Sequence, residues 1–135
     1  MDLLIADDNA QFRQRLASVL KTINGIGVIG EAGDVGEAIE AIGQFGPRVV
    51  ILDLHMPGGS GFDVLRSAKN MNPSPLVIVL TVASPDEYRE KCTAAGADYF
   101  FQKTRDLGKV IAVLSRLNEK SAATLRASEQ SRLRH

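Results

Sequence analysis

The feature that most restricts the fold is a continuous apolar segment near the middle of the chain, with one carboxylate directly after it. Residues 49–52 read Val-Val-Ile-Leu, Asp53 follows, and the turn-forming pair Pro57-Gly58 comes soon after. A run without polar alternation is typical of a strand that is buried on both faces of a parallel sheet. An unpaired carboxylate inside such a strand would be strongly unfavourable, so Asp53 is predicted at the strand's carboxyl end, facing a polar cleft. Ligands bind at that end in sheets of this type.

The rest of the chain alternates between apolar strands and amphipathic helices. Strands are predicted at residues 2–6, 28–32, 76–80 and 97–102, and helices at residues 10–23, 35–45, 62–71, 85–95 and 110–117. Asn9, Asp34 and Ser84 are candidate helix caps, and residues 58–61 are expected to form a flexible loop. Five βα units with right-handed crossovers predict an α/β fold, a doubly wound parallel sheet with helices on both faces.

Length and composition restrict the class of protein. The chain has 135 residues and no net formal charge, which fits one ordinary domain and gives no sign of a nucleic-acid surface. The single Cys92 cannot form an internal disulfide, in keeping with a reducing compartment. No basic and apolar leader and no apolar run of about 18 residues is present, which argues against secretion and membrane spanning. Residues 1–118 are predicted to form the domain, and residues 119–135 an extension of the fifth helix or a linker.

Polar residues that suit one chemistry follow several of the predicted strands. Asp7 and Asp8 end the first strand, Asp53 the third, Thr81 the fourth and Lys103 the fifth. Three carboxylates in one cleft repel each other, so at least one pKa should rise unless a cation is present. Mg²⁺ favours such oxygen ligands and often pairs one or two carboxylates with a phosphate oxygen. With a lysine and a hydroxyl beside them, the group suits transfer of a phosphoryl group onto Asp53.

At these residues the chain resembles the receiver domain of bacterial two-component response regulators. The likeness spans about residues 1–118. The motifs that carry it are Asp7-Asp8, the run from Asp53 to Gly58 with Gly61, Thr81, and the run from Gly96 to Lys103. The resemblance implies a flavodoxin-like fold with strand order 2-1-3-4-5. It also implies that Asp53 is the phosphoacceptor.

The resemblance further implies a metal site. Asp8 and Asp53 would bind Mg²⁺ together with the backbone carbonyl of His55, while Asp7 would act largely through water.

Three further residues receive roles by the same resemblance. Lys103 would pair with the acceptor and then with the phosphoryl group, Thr81 would be the switch hydroxyl, and Phe100 would take the aromatic switch position. Taken singly, each also has a purely structural interpretation, such as packing on an edge strand for Phe100. The chain departs from the family's pattern at Thr104, where Pro is common, and at Val82, where a smaller residue is common.

Three functions follow as hypotheses. The first is a phosphorylation-dependent regulator that is not an enzyme beyond slow self-catalysed phosphoryl transfer and hydrolysis. The second is an enzyme similar to the aspartyl-phosphate phosphatases of the haloacid dehalogenase family, but these have a second acid two residues after the nucleophile, where this chain has His55. The third is an interaction module that is never phosphorylated. A P-loop or dinucleotide enzyme would need a glycine fingerprint after the first strand, and the sequence there is Asp8-Asn9-Ala10.

For the first hypothesis, the expected partners are a histidine kinase or phosphotransfer protein and a downstream output protein or domain. The face made by the fourth helix, fifth strand and fifth helix would change its affinity for the output partner. A phosphorylation-dependent homodimer is a further expectation. Nucleic acid would be bound only through an output domain outside these 135 residues, as in transcription regulators with a helix-turn-helix. The expected location is the cytoplasm, with no membrane contact.

Overall fold

The structure is a computed structural model that describes residues 1–82 and 86–133. Its centre is a five-stranded parallel sheet in the order β2-β1-β3-β4-β5. The strands are β1 Asp2–Ala6, β2 Gly27–Ala32, β3 Val49–Leu52, β4 Leu76–Thr81 and β5 Tyr99–Gln102. The fold class and strand order predicted from the sequence are confirmed, with β2 and β5 at the two edges.

The helices between and after the strands cover both faces of the sheet. They are α1 Ala10–Leu20, α2 Val35–Phe45, α3 Gly61–Lys69, α4 Asp86–Ala94 and α5 Leu107–Leu133. Side chains of α1 and α5 share one apolar cluster, and side chains of α2, α3 and α4 share the other. The sheet is therefore doubly wound, as the βα repetition predicts.

Alternation along the central strands explains why they read as continuously apolar. In β1, Leu3 and Ile5 pack towards α1 and α5, whereas Leu4 and Ala6 pack towards the opposite helices. All four residues are fully buried or nearly so. In such doubly buried strands a polar side chain has room only at the strand's end, which leaves the carboxyl edge of the sheet for chemistry.

Two predicted caps are present in the structure. The Asn9 side chain accepts a hydrogen bond from the Phe12 N–H at the start of α1, and the Asp34 side chain accepts one from the Glu37 N–H at the start of α2. The predicted cap Ser84 lies outside the described residues. Gly46 ends α2 in the left-handed conformation, with φ 55°.

The segment before α3 differs from the flexible loop expected at residues 58–61. Ser60 Oγ accepts from the Phe62 N–H at 3.2 Å, and Asp63 Oδ2 accepts from the Ser60 N–H at 3.3 Å, which forms a capping box. Gly61 is buried against Leu54, where an added Cβ would lie 2.5 Å from the Leu54 Cα. This close packing fixes the connection between β3 and α3.

Several boundaries differ from the sequence prediction by a few residues. The first helix ends at Leu20 rather than Ile23, and β5 begins at Tyr99 rather than Ala97. The fifth helix continues well beyond residue 117, to Leu133, although the apolar spacing fades there.

Within the described residues, no helix combines the length and the apolar character that crossing a membrane requires.

Replacing Gly61 by alanine is expected to destabilise the fold. The new methyl group would meet the backbone of Leu54, which cannot move without shifting the residues around Asp53. We expect Gly61→Ala to lower the free energy of unfolding by about 1–3 kcal/mol, measured by urea denaturation.

A matched control is available in α2. Nothing lies within 4 Å of the Cβ that would be added at Gly43. Because alanine is the better helix former, Gly43→Ala should raise the free energy of unfolding by about 0.5–1 kcal/mol. Equal effects of the two substitutions would contradict the packing described for Gly61.

Candidate functional site

The sheet itself positions the polar residues at its carboxyl edge. Asp7 and Asp53 directly follow β1 and β3, Thr81 is the last residue of β4, and Lys103 directly follows β5. The hydrogen-bond ladder continues past the strand ends: the Asp53 N–H donates to Ala6 O at 2.9 Å, and the Lys103 N–H donates to Thr81 O at 2.7 Å. The backbones that carry these side chains are therefore as fixed as the strands are.

Asp53 is buried, with 4% of its surface exposed, yet its carboxylate has three hydrogen-bond donors. Its Oδ1 accepts from the Thr81 hydroxyl at 2.9 Å and from the His55 backbone N–H at 3.0 Å. Its Oδ2 lies 2.8 Å from the Lys103 ammonium. These contacts explain how a charge is accommodated at the end of an apolar strand.

Asp7 is the second buried carboxylate, and it shares the same lysine. Its Oδ2 lies 2.6 Å from Lys103 Nζ, and its Oδ1 accepts from the Asn9 N–H at 2.9 Å. Burial raises the pKa of Asp7, although the hydrogen bonds from Lys103 and Asn9 act in the opposite direction. The expected rise of one pKa is thus found at Asp7, but its main cause is burial rather than repulsion between carboxylates.

Lys103 carries the positive charge of the site. Its side chain is 11% exposed, and burial alone would lower its pKa. The hydrogen bonds and charge attraction of Asp53 and Asp7 outweigh burial, so the pKa of Lys103 is raised. The ammonium is therefore held in its charged form between the two carboxylates.

Asp8 completes an acidic cluster that fits a hard divalent cation. Asp7, Asp8 and Asp53 each offer a carboxylate oxygen, and these oxygens lie within 4.8 Å of one another. Asp8 is exposed, so solvent reaches the cluster from its side. An all-oxygen set with one open side matches the preference of Mg²⁺ for a few carboxylates and several waters.

The structure brings His55 to the site by its backbone and leaves Phe100 away from the cluster. The His55 side chain is exposed, with its ring 6.3 Å from that of Tyr88. Phe100 is buried in the apolar cluster beneath α2, α3 and α4, and the Arg89 guanidinium lies 5.0 Å from its ring centroid. Phe100 therefore faces α4 rather than the carboxylates.

Sequence reasoning assigned no site role to two residues of α1. The spacing of apolar residues in α1 places Phe12 on the apolar face of the helix, and its ring centroid lies 4.5 Å from Lys103 Nζ. Arg13 donates to the backbone carbonyl of Asp7 at 2.6 Å and pairs with Glu31 at 3.2 Å. Helical spacing indicates that Phe12 faces inwards, but it does not indicate which strand end the ring meets.

Comparison with known proteins identifies the family of this chain. The sequence profile of the response regulator receiver domain matches residues 3–115. Response regulator GacA of Pseudomonas protegens is 27% identical over 109 residues, which cover 81% of this chain and 51% of that protein. A protein-glutamate methylesterase/protein-glutamine glutaminase of Hydrogenovibrio crunogenus is 36% identical over 108 residues, which cover 80% of this chain and 26% of that enzyme.

Solved structures agree with the sequence relatives. A DNA-binding response regulator of the LuxR family from Staphylococcus aureus superimposes with a TM-score of 0.79 at 26% identity, over 87% of this chain and 98% of that one. The matched region spans about half or less of the length of the two curated relatives. The family match covers most of the 135 residues, and the chain belongs to the response regulator receiver domain family.

Proposed function

We propose that this chain is a phosphoacceptor switch in a two-component signalling pathway, with Asp53 as the acceptor. The observation that carries the proposal is the set of contacts on one carboxylate: Asp53 is held by Thr81 and Lys103 and lies within reach of two further acids. A structural carboxylate needs donors only. A phosphoryl acceptor also needs positive charge beside the incoming group. Lys103 supplies one such charge, and a divalent cation held by the neighbouring acids would supply more.

In the transfer step, one Asp53 oxygen attacks the phosphorus of a phosphohistidine on the partner kinase or phosphotransfer protein. A P–O bond forms, the P–N bond to histidine breaks, and the imidazole leaves with the electron pair. The protein's part is to position the groups and to neutralise charge, because phosphoryl transfer requires little else. Beyond this step we propose no enzymatic activity except slow hydrolysis of the aspartyl phosphate.

Mg²⁺ is the proposed cofactor, and the acidic cluster fits it. Asp8, Asp53 and the backbone carbonyl of His55 would hold the ion, with Asp7 acting through water. When bound, it would neutralise charge on the phosphoryl oxygens. The exposed position of Asp8 supports this arrangement, since a partly hydrated ion needs an open side.

Thr81 and Lys103 supply the response to phosphorylation. In the unmodified site the Thr81 hydroxyl donates to Asp53 Oδ1, and Lys103 binds Asp53 Oδ2. A phosphoryl group on Asp53 offers both donors new anionic oxygens, so each side chain shifts towards it. Because Thr81 and Lys103 belong to the ends of β4 and β5, this shift acts directly on the face made by α4, β5 and α5.

The change at that face must favour the active state by about 5.5 kcal/mol for a nearly complete switch. Charge-assisted hydrogen bonds at about 1.5–3 kcal/mol each make this attainable with a few contacts. Phe100 is the proposed aromatic switch residue. Because it is buried beneath α4, a change in the position of its ring would alter the packing of α4.

The output of the switch is proposed from the relatives. GacA is named a response regulator and the Staphylococcus aureus protein a DNA-binding one, which supports coupling to a DNA-binding output domain. In this proposal residues 1–118 form the receiver, and residues 119–133 extend helix five towards the output partner. Residues 134 and 135 of the predicted extension or linker lie outside the described residues. A homodimer formed on phosphorylation and a cytoplasmic location complete the proposal.

Asparagine in place of Asp53 is expected to abolish phosphorylation, because the amide cannot serve as the nucleophile. Wild-type protein incubated with acetyl phosphate and Mg²⁺ should gain one phosphoryl group per chain in an intact-mass spectrum. Asp53→Asn should gain none.

The control is Asp2→Asn, which removes an exposed carboxylate at the opposite edge of the sheet and should be phosphorylated normally. Phosphorylation of Asp53→Asn to the wild-type level would contradict the proposal. Release of many phosphate ions per chain from a phosphorylated substrate would instead favour the phosphatase-type enzyme.

Asparagine in place of Asp7 is expected to stabilise the metal-free protein at neutral pH. The raised pKa means that ionised Asp7 is less favourable in the folded state than in the unfolded one. That cost is fully present above the folded-state pKa and is absent below the unfolded-state value of 3.8, where the carboxyl is protonated in both states. The amide removes the charge but can still accept from Lys103.

Urea denaturation in the presence of a chelator measures this difference. Asp7→Asn should unfold at higher urea than wild type at pH 7, and the gain should shrink as the pH falls towards about 4. Asp2→Asn should show little change at either pH. A loss of stability at pH 7 would show that the hydrogen bonds of the Asp7 carboxylate outweigh its burial.

A further inference from the structure

The ring of Phe12 lies against the ammonium of Lys103, and the phosphoryl transfer proposed above assigns no role to that ring. The distance from Lys103 Nζ to the ring centroid is 4.5 Å, within the range of about 6 Å in which an aromatic ring attracts a cation. The same nitrogen lies 2.6 Å from Asp7 Oδ2 and 2.8 Å from Asp53 Oδ2. An ammonium group has three N–H donors, so two carboxylates and one aromatic ring account for its surroundings.

The ring is held in place independently of the lysine. Phe12 belongs to the first turn of α1, where its N–H donates to Asn9 Oδ1 at 3.0 Å. The Asn9 N–H in turn donates to Asp7 Oδ1 at 2.9 Å. The turn that orients the Asp7 carboxylate therefore also fixes Phe12, and the half-buried ring packs against the apolar cluster beneath α1 and α5.

The two kinds of anchor respond differently to a cation at the acidic cluster. A divalent ion held by Asp8 and Asp53, with Asp7 acting through water, would attract the charge of both buried carboxylates, so both ion pairs with the ammonium would weaken. The Phe12 ring has no charge that the ion can neutralise and no oxygen that it can bind. Of the three contacts described for this ammonium, the one with the ring is therefore the one that a bound cation would leave unchanged.

We propose that Phe12 is a positioning residue, which keeps the Lys103 ammonium beside Asp53 when a cation occupies the acidic cluster. The ammonium then remains available to the incoming phosphoryl group instead of turning into solvent. This inference rests on the proposed function, since it assigns Phe12 to the same phosphoryl-binding step. A leucine would fill much of the same space but would offer no negative ring face, which separates positioning from simple packing.

Beryllofluoride, a phosphoryl mimic, tests the proposal in the intact chain. With Mg²⁺ present, ¹⁹F NMR titration should show that Phe12→Leu binds beryllofluoride about three- to tenfold more weakly than wild type. Phe12→Tyr keeps the ring and should bind nearly as well as wild type. Leu16→Val, in the core one turn further along α1, should lower the melting temperature without changing the affinity.

A second measurement on the metal-free protein does not depend on phosphoryl chemistry. The ε-methylene protons of Lys103, assigned by comparison with Lys103→Arg, should be shifted by the ring current of Phe12. Phe12→Leu should remove that shift and Phe12→Tyr should keep it.

The outcomes separate two failures. Wild-type affinity for beryllofluoride in Phe12→Leu, or an unchanged ε-methylene shift in that variant, would overturn the positioning role. Failure of the wild-type protein itself to bind beryllofluoride would overturn the proposed function, while the ring-current shift would still report the contact between ring and ammonium.

Discussion

One ammonium group, that of Lys103, is the interaction on which the rest of this site depends. It lies between two buried carboxylates that would otherwise repel each other in a poorly solvated position. Because Asp7, Asp53 and Lys103 follow β1, β3 and β5, this single charge also joins an edge strand to the middle of the sheet. A buried ion pair of this kind stabilises a fold little compared with apolar packing, although an ammonium left there with no carboxylate at all would be costly. Its importance is that the contacts of the two carboxylates can change when a new charge enters the site.

Responsiveness follows from the balance of charge. Burial raises the pKa of Asp7, and the carboxylates raise the pKa of Lys103. Without a metal ion, the buried negative charge of Asp7 is therefore only partly compensated. We propose that a cation or a phosphoryl group arriving through the exposed side at Asp8 redistributes the contacts of both buried carboxylates. Natural proteins commonly sacrifice some stability at functional sites in this way. The strands that carry Thr81 and Lys103 lead to the face where we propose that partners bind.

The sequence was sufficient for the architecture because the apolar runs were unambiguous. Residues 49–52 and 76–80 have the pattern of buried strands. Because the carboxyl ends of parallel strands meet at one edge of the sheet, Asp53 and Thr81 could be placed beside Asp7 and Lys103. The details that escaped prediction depend on contacts between distant segments. Ser60 and Asp63 form a capping box that the surrounding glycines obscured. The meeting of Phe12 with Lys103 depends on how α1 packs across the end of β5, and helical periodicity carries no such information. For residues 119–135 the sequence left a helical extension and a linker open, because the apolar spacing fades before α5 ends at Leu133.

The central claim is that a carboxylate oxygen of Asp53 accepts the phosphoryl group. A crystal structure with Mg²⁺ and beryllofluoride tests this claim most directly. The account predicts one beryllofluoride on an Asp53 oxygen, with the Thr81 hydroxyl and the Lys103 ammonium turned to its fluorines and Mg²⁺ beside Asp8. An adduct on Asp7 or Asp8, or an Asp53 carboxylate left unmodified at saturating beryllofluoride, would contradict it.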